Sequence, residues 1–309
     1  MKTLSSSLKI NQIQLPNFLG IGSERCASTW LHYVLSKHPQ LYLPERKEFN
    51  FWSGTITKEK LEEYLKNFEH EKANACLLGE ISPTYAAMYS EEVALLKEVI
   101  PELKVIFIIR NPVDRLISSI TRQWTFFYVD KGASTNRNLF FLLRCVDKGL
   151  SRRLTDYLRT YQIWSKCLGK DHVFLEKFEN LSSNPQGFLI RVLEFLGVQP
   201  IIDESVMNSK RNKSNEDVKT EIPEFLKWYM AVEWLPKVKQ MAIILPLDLS
   251  DWIENLEFIV GKNKFNIKFW FIYIVHKIYF YIPYSLLYSL AKYFQVQMKV
   301  AKTRRDLGL

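Results

Sequence analysis

The chain has 309 residues, of which 47% are hydrophobic and 24% are charged, a composition typical of a globular protein with an ample core. Its four cysteines, at positions 26, 76, 145 and 167, include no CxxC pair and no regular spacing. This pattern argues against a zinc site or a disulfide framework and favours a reducing compartment. The first seven residues are polar and begin no signal-peptide-like apolar run, so residues 1–16 are interpreted as a flexible leader.

The formal net charge of +9 is unevenly distributed along the chain. From Lys262 onward there are nine Lys or Arg residues and one acid, Asp306, so this segment alone carries +8. The preceding part of the chain is therefore almost neutral. The basic character of the whole protein gives no indication of nucleic-acid binding, and none is expected.

Apolar and polar blocks alternate along the chain and predict β and α segments in turn, the pattern of a parallel sheet covered by helices. Val105–Ile109 is continuously apolar, as expected for a strand buried on both faces. Asn111 is a predicted helix N-cap, and Gly197 is a predicted C-cap. Further strands are predicted at 18–22, 77–81 and 172–178, and helices at 30–38, 58–68, 90–99, 112–127, 150–168, 186–196 and 223–242.

Two of the predicted strands are followed closely by a basic residue and then by a helix. The first junction runs from Phe18–Gly22 to Arg25, and the second from Val105–Ile109 to Arg110. Helix N-termini present free backbone N–H groups and the positive end of a dipole, so each junction suits an anion. Two such sites on neighbouring parallel strands would suit a ligand with two separate phosphate groups.

The first junction differs from the P-loop of nucleoside-triphosphate enzymes. That loop requires GxxxxGK[ST], and Gly22–Thr29 lacks both the second glycine and the lysine, which disfavours a magnesium-dependent kinase. The loop does keep small residues that let the backbone approach an oxyanion, two hydroxyls, and Arg25. The alternative interpretation is a helix capped by Ser28 or Thr29, with Arg25 facing solvent.

Both junctions resemble motifs of the sulfotransferases, which use 3′-phosphoadenosine 5′-phosphosulfate (PAPS) as sulfuryl donor. Residues 22–31, which read Gly-x-x-Arg-x-x-Ser-Thr-Trp-Leu, resemble their 5′-phosphosulfate loop, and residues 110–118 resemble their 3′-phosphate site. Residues 181–198 resemble the family's closing strand and helix. The resemblance is to bacterial members and the heparan or carbohydrate group. It implies an α/β fold, a P-loop-like parallel sheet flanked by helices, for a sulfotransferase domain of residues 17–260.

Carried over by position, the resemblance assigns the binding of PAPS to three segments. Arg110 and Ser118 would hold the 3′-phosphate, and Lys210 and Arg211 are further candidates in a later polar loop. Arg25 would also offset charge on the leaving phosphate oxygen, in a place where many members have lysine. No metal is implied. The residues assigned to the 5′-phosphosulfate are Arg25, Cys26, Ala27, Ser28, Thr29 and Trp30.

The resemblance assigns the general base to Glu48, which matches the glutamate that heparan-type enzymes use on the acceptor. Asn50 stands where several members have histidine. The segment 79–85 lacks the histidine that cytosolic aryl and steroid sulfotransferases use. The alternative for Glu48 is a surface acid paired with Lys47 or Arg46.

The sequence leaves the acceptor and the oligomeric state open. Ile81 stands where heparan enzymes place a substrate-side lysine, which argues against a heparan-like polymer. A carbohydrate, a lipid-linked molecule or a small molecule with a hydroxyl or amine would meet loops predicted at 50–58, 124–150 and 205–220.

Residues 261–309 are predicted to form a helical aromatic and basic extension. Between positions 269 and 291 the residues ionisable near neutrality are His276 and Lys277, and aromatic residues are dense. Basic residues with Trp and Tyr are typical of an interfacial amphipathic helix, so 262–309 is a candidate for peripheral membrane contact. The protein is expected in the cytoplasm or at the cytoplasmic face of a membrane. The alternative is a pair of helices packed on the domain.

Two functions of other classes stay open beside the sulfotransferase. One is a non-catalytic nucleotide-fold module that binds membranes or polyanions. The other is a small-molecule kinase-like enzyme, which the missing GK[ST] disfavours. Binding of 3′,5′-adenosine bisphosphate would separate a sulfotransferase from both.

Overall fold

The structure is a computed structural model that describes residues 15–69, 77–124, 139–203, 222–278 and 282–307. Within these ranges, five parallel strands form a sheet in the order β2-β3-β1-β4-β5. The strands are β1 (Phe18–Gly22), β2 (Leu41–Tyr42), β3 (Leu77–Ile81), β4 (Lys104–Ile109) and β5 (Val173–Lys177).

Helices connect and flank these strands. Short 3₁₀ turns lie at Lys66–Phe68, Pro83–Ala87 and Lys170–His172. The α-helices are α1 (Ser28–Ser36), α2 (Lys58–Leu65), α3 (Ser90–Val99), α4 (Pro112–Trp124), α5 (Leu139–Asp147), α6 (Gly149–Thr155), α7 (Tyr157–Leu168), α8 (Phe178–Ser183), α9 (Pro185–Leu196), α10 (Glu224–Ile244), α11 (Ser250–Lys262), α12 (Ile267–His276) and α13 (Ile282–Leu307).

Strand β1 lies at the centre of the sheet, where the direction of strand addition reverses. Leu19 of β1 is in register with Glu80 of β3 on one side and with Val105 of β4 on the other. The chain adds β2 and β3 on the first side, then β4 and β5 on the second. In open parallel sheets, ligands bind outside the carboxyl ends of the strands at such a reversal. A ligand-binding site is therefore expected at the carboxyl ends of β1 and β4.

The sheet is buried beneath helices α1 and α9. Leu35 of α1 and Phe188 and Val192 of α9 share one apolar cluster with Ile106 and Ile108 of β4. From Val105 to Ile109 every side chain of β4 is buried, which confirms the predicted two-sided strand. Such contacts fix the strand ends, and with them the loops that follow.

The predicted helix caps are both present. Asn111 Oδ1 accepts a hydrogen bond from the Val113 N–H at 3.0 Å, and α4 begins at Pro112. Gly197 ends α9 with a φ of 83°, in the left-handed region that favours glycine. The prediction of one continuous helix over 150–168 is wrong, because the segment forms two helices, α6 and α7, which are separated at Asp156.

The chain divides into two compact units. The first unit takes in Met1–Ile109, Arg159–Asn212 and Phe294–Leu309, and it contains the sheet. The second takes in Arg110–Leu158 and Lys213–Tyr293, and it is helical. The predicted α/β fold is confirmed. The predicted division into a leader, a domain and an extension stays a prediction.

The second unit is built around α10 and its aromatic side chains. Trp228, Tyr229 and Trp234 of α10 are fully or almost fully buried, as are Tyr157 and Trp252. Tyr157 and Trp252 have ring centroids 6.4 Å apart. Within the ranges that the structure describes, no helix combines the length and the apolar character needed to cross a bilayer.

Candidate functional site

The loop between β1 and α1 follows a tightly constrained path. Gly22 has a φ of +131°, and a Cβ at this position would lie 2.6 Å from the carbonyl oxygen of Pro83. Arg25 and Ala27 also have positive φ, at 67° and 62°. Non-glycine residues adopt such conformations at a cost of roughly 1–3 kcal/mol each, and only where the surrounding structure fixes them. The loop backbone is therefore held in one shape.

Helix α1 begins at the end of this loop without a side-chain cap. Its N-cap residue is Ala27, no side chain makes a capping hydrogen bond, and the first turn contains no acid. Ser28 and Thr29 are the first two residues of the helix, so the alternative in which one of them caps it is wrong. An uncapped N-terminus offers its first backbone N–H groups and a positive dipole end, which suits an anion.

Two of the residues assigned to the loop direct their side chains to the interior. Cys26 is almost fully buried, and its thiol lies 3.7 Å from the Glu24 carbonyl oxygen. Trp30 packs edge-to-face on Phe188 with a centroid distance of 6.2 Å. A contribution of Cys26 or Trp30 to anion binding would therefore come from the backbone.

Lys47 contacts the hydroxyls at the start of α1. Its Nζ donates to Thr29 Oγ1 at 2.8 Å and to Ser28 Oγ at 3.1 Å. The same Nζ lies 3.1 Å from Glu48 Oε1. Sequence reasoning considered Lys47 as a partner of Glu48 and missed its place beside the loop. One sequence signal for this position was available. The loop has Arg25 where many sulfotransferases have lysine, and a lysine lies next to the candidate base.

Glu48 lies beside Lys47 on a segment that is fixed against the end of β3. Its backbone N–H donates to the Ile81 carbonyl at 3.3 Å, and its side chain is 48% exposed. Asn50 donates its backbone N–H to Ser82 Oγ at 3.1 Å. The ion pair considered as the alternative for Glu48 is present, and it places the carboxylate next to the loop cation.

The left-handed backbone positions cluster in these two segments. Among the described residues, the non-glycine positions with positive φ are Arg25, Ala27, Glu48 and Asn50. Two lie in the loop after β1 and two in the segment that carries the candidate base. Conformations of this kind collect at binding and catalytic sites, where neighbouring contacts hold them. The backbone conformations and the side-chain contacts of Lys47 therefore indicate a site at the same two segments, the loop after β1 and the segment around Glu48.

Glu80 is a buried carboxyl beneath this site. It accepts hydrogen bonds from the hydroxyls of Tyr85 at 2.7 Å, Tyr64 at 2.9 Å and Ser82 at 3.1 Å. Burial raises the pKa of Glu80 to about 7, against the opposing effect of these three hydrogen bonds. Sequence reasoning gave Glu80 no role, although an acid inside the apolar strand Leu77–Ile81 was a usable signal.

At the second junction, Arg110 follows directly after β4 and precedes the cap of α4. Its carbonyl oxygen accepts a hydrogen bond from the Tyr157 hydroxyl at 2.9 Å. Ser118 lies in the second turn of α4 and is half-buried. The binding roles assigned to Arg110 and Ser118 stay predictions. Lys210 and Arg211 lie outside the described residues.

The predicted acceptor loops are only partly covered by the structure. Residues 50–58 are described, but 125–138 of the second loop and all of 205–220 lie outside the described ranges. Across those ranges, no group of three or more His, Cys, Asp or Glu side chains is arranged to hold a metal ion.

A sequence model of the sulfotransferase family matches residues 52–203. These 152 residues, just under half of the chain, are similar to the sulfotransferase family. The matched residues include β3, β4 and Arg110, and they begin after Arg25 and Glu48. The sulfotransferase assignment thus rests on a part of the chain that does not contain the loop after β1.

Two curated sulfotransferases are similar to this chain. The membrane-associated sulfotransferase kil1 of Dictyostelium discoideum is 32% identical over 114 residues, which are 36% of this chain and 24% of that protein. The bifunctional heparan sulfate N-deacetylase/N-sulfotransferase 2 of Bos taurus is 25% identical over 210 residues, which are 62% of this chain and 23% of that protein. The chain therefore spans about a quarter of the length of each.

A solved sulfotransferase structure supports the fold. The crystal structure of a sulfotransferase from Alicyclobacillus acidocaldarius matches with a TM-score of 0.60 and 21% sequence identity. The match covers 78% of this chain and 99% of that chain. The parallel sheet flanked by helices is thus the fold of a known sulfotransferase.

Proposed function

We propose that the protein is a sulfotransferase that moves a sulfuryl group from PAPS to a hydroxyl or amine acceptor, with Glu48 as general base. The observation that carries the proposal is the position of Lys47. Its Nζ lies 2.8 Å from the Thr29 hydroxyl oxygen and 3.1 Å from a Glu48 carboxylate oxygen. One ammonium thus links an anion-binding helix N-terminus to a candidate base. Sulfuryl transfer needs both a site for a leaving phosphate and a group that accepts a proton.

The loop after β1 fits the 5′ end of PAPS. PAPS supplies a sulfuryl group already activated on its 5′-phosphate, and it carries a second anion at the 3′ position. The uncapped start of α1 would donate backbone N–H groups to the 5′ end, and Arg25 and Lys47 would supply positive charge. The fixed backbone of the loop would hold these donors in place before the donor binds, so little reorganisation is needed.

Glu48 is suited to take the proton from the acceptor. Its side chain is about half exposed, so an acceptor can approach it from solvent. The contact with Lys47 and the backbone hydrogen bond to Ile81 orient the carboxylate toward the loop. In the transfer, the acceptor O–H or N–H gives its proton to Glu48, the sulfur–oxygen bond to the phosphate breaks, and a sulfur–acceptor bond forms. Positioned base catalysis contributes roughly 10²–10⁴-fold to such a rate.

The 3′-phosphate is assigned to Arg110 and Ser118, with Lys210 and Arg211 as further candidates. The support for Arg110 is its position directly after β4, a neighbour of β1 in the sheet. Asn111 caps the following helix, so that helix begins at a defined residue. This is the type of strand–helix junction that binds phosphates in α/β folds.

The acceptor class is proposed only as a hydroxyl or an amine. One relative is named for heparan sulfate N-sulfotransfer, which favours an amine on a carbohydrate. Another is named as membrane-associated, which favours work at a membrane surface. We propose that the protein works in the cytoplasm or at the cytoplasmic face of a membrane, on a carbohydrate, lipid-linked or small-molecule acceptor.

Two measurements test the proposal. The folded protein should bind 3′,5′-adenosine bisphosphate in a calorimetric titration, and ATP with magnesium serves as the comparison ligand. Labelled sulfate should then pass from PAPS to at least one member of a panel of sugars, lipids and phenols. A folded protein that binds ATP but not the bisphosphate would support the kinase-like alternative. Bisphosphate binding without transfer to any acceptor class would favour a non-catalytic module.

A further inference from the structure

Helix α12 has large apolar side chains on two opposite faces. Its inner face packs on α10, where Phe269 and Tyr273 contact Trp228 with centroid distances of 5.6 and 6.0 Å. Its outer face is formed at helical spacing by Ile267, Phe271 and Ile274. Ile278, which lies two residues beyond the end of α12, continues this face. These outer residues are between 51% and 84% exposed. A helix of a globular protein normally exposes a polar face instead.

Polar contacts on the inner face hold α12 in this orientation. Tyr273 donates its hydroxyl to Glu233 at 2.7 Å, and Lys277 Nζ donates to the same carboxylate at 2.6 Å. His276 Nε2 lies 2.7 Å from Asp147 Oδ2. His276 and Lys277 thus bind acids within the second unit, and neither interrupts the apolar outer face of α12.

The outer face is bordered by cations and by further exposed aromatic side chains. Phe265 and Phe258 are 87% and 72% exposed. Lys264 and Lys268 lie in the turn before α12 and in its first turn. From Phe258 to Ile278 the sequence contains no acid. The nearest acids on α11 include Glu257, which pairs with Lys239 at 2.6 Å.

We propose that this surface docks on a bilayer that contains anionic phospholipids. We call it the lipid face, and it comprises Phe258, Phe265, Ile267, Phe271, Ile274, Ile278, Lys264 and Lys268. Large exposed apolar side chains next to lysines match the acyl-chain boundary and the negative headgroups of such a membrane. The apolar stripe is about 16 Å long at 1.5 Å per residue, so it would lie in the plane of the interface. This proposal does not depend on the reaction proposed above.

The lipid face covers only part of the segment 262–309 for which membrane contact is predicted, and it adds Phe258 of α11. The end of α13 packs within the first unit, where Val296 and Val300 are buried. There Thr303 Oγ1 accepts a hydrogen bond from the Ile56 N–H at 3.2 Å, and Lys299 pairs with Glu92. Lys299 thus has a protein partner, as does Arg304, which pairs with Glu98, and the lipid face lies between Phe258 and Ile278.

Vesicle flotation of the full-length protein tests the proposal. Vesicles of phosphatidylcholine alone are compared with vesicles that also contain phosphatidylserine, at low and high salt. Partition should be at least tenfold stronger with the anionic vesicles at low salt, and it should weaken at high salt. The double substitution Phe271→Glu with Ile274→Glu should weaken it at least tenfold. The double substitution Lys264→Glu with Lys268→Glu should remove most of the difference in partition between low and high salt.

Matched controls lie elsewhere on the molecule. Ile201→Glu places an acid at an exposed apolar residue of the first unit, and Lys170→Glu reverses an exposed charge there. Neither control should change flotation by more than twofold. Circular dichroism and thermal melting verify that each variant is folded.

Three results would overturn the lipid face. The first is wild-type protein that floats with neither vesicle type. The second is a folded Phe271→Glu/Ile274→Glu variant that floats like the wild type. The third is a concentration-dependent dimer in sedimentation that the same variant abolishes while flotation is absent, since a second copy would then cover the face.

Discussion

The ammonium of Lys47 lies 2.8 Å from the hydroxyl oxygen of Thr29, a residue 18 positions earlier in the chain. This contact brings a lysine to a loop that has Arg25 where many sulfotransferases have lysine. The segment that carries the candidate base therefore also supplies a cation to the candidate anion site. Binding and proton transfer can be separated by substitutions at neighbouring positions.

Replacing Lys47 with methionine should weaken the binding of 3′,5′-adenosine bisphosphate by roughly 10- to 100-fold. The lost interaction is a charge-assisted hydrogen bond, worth about 1.5–3 kcal/mol. Calorimetry provides the measurement, and Lys37→Met, just beyond the opposite end of α1, is the matched control. Affinity within twofold of the wild type would remove Lys47 from the donor site.

Glu48→Gln should separate chemistry from binding. The amide keeps the shape of the side chain but cannot take a proton, so turnover should fall by about 10²-fold or more. Bisphosphate affinity should stay near that of the wild type. Glu45→Gln, at an exposed acid three positions earlier, should leave both quantities unchanged. Near-full turnover of a folded Glu48→Gln variant would show that another group is the base.

Arg110→Ala and Ser118→Ala should each weaken bisphosphate binding without unfolding the protein. The expected loss is roughly tenfold or more for Arg110, because a charged donor to phosphate is removed. Arg122→Ala, at an exposed arginine later in α4, is the control. Unchanged affinity in the folded Arg110→Ala variant would contradict the assignment of the 3′-phosphate.

Local signals in the sequence predicted much of the fold. The apolar run of β4, the cap at Asn111 and the left-handed Gly197 each depend on a few adjacent residues, and all three are confirmed. The contact between Lys47 and Thr29 was not predictable in this way, because it depends on how the chain returns after α1. Asn50 shows the same limit, since its contact with Ser82 joins positions 32 residues apart.

Glu80 should make the stability of the protein depend on pH. The folded protein keeps this proton up to a pKa of about 7, while the unfolded chain loses it near 4.5, so a rise in pH favours unfolding across that window. At about 1.36 kcal/mol per pH unit, the effect is on the order of 3 kcal/mol. Urea unfolding at pH 5 and pH 8 should show wild type losing stability relative to Glu80→Gln. A constant difference between the two proteins would contradict the raised pKa.

Glu233→Ala should destabilise the second unit strongly. The substitution leaves the ammonium of Lys277 and the guanidinium of Arg152 buried without this carboxylate, at a cost of about 3–5 kcal/mol. The control is Glu257→Ala, which breaks the exposed pair with Lys239 and should cost under about 1 kcal/mol. Denaturant titration of the full-length protein compares them, and equal losses would show that the buried network is not stabilising.

The inner contacts of α12 also bear on how the protein should be shortened or engineered for expression. Ending the chain near residue 260 would remove Tyr273, His276 and Lys277, and with them the donors and ring contacts that cover Trp228 and Tyr229. The shortened protein would then lose the cover of Trp228 and Tyr229, which are fully buried in the whole chain. A better-behaved sample for crystallisation should keep the whole chain and carry polar substitutions at Phe271 and Ile274 alone.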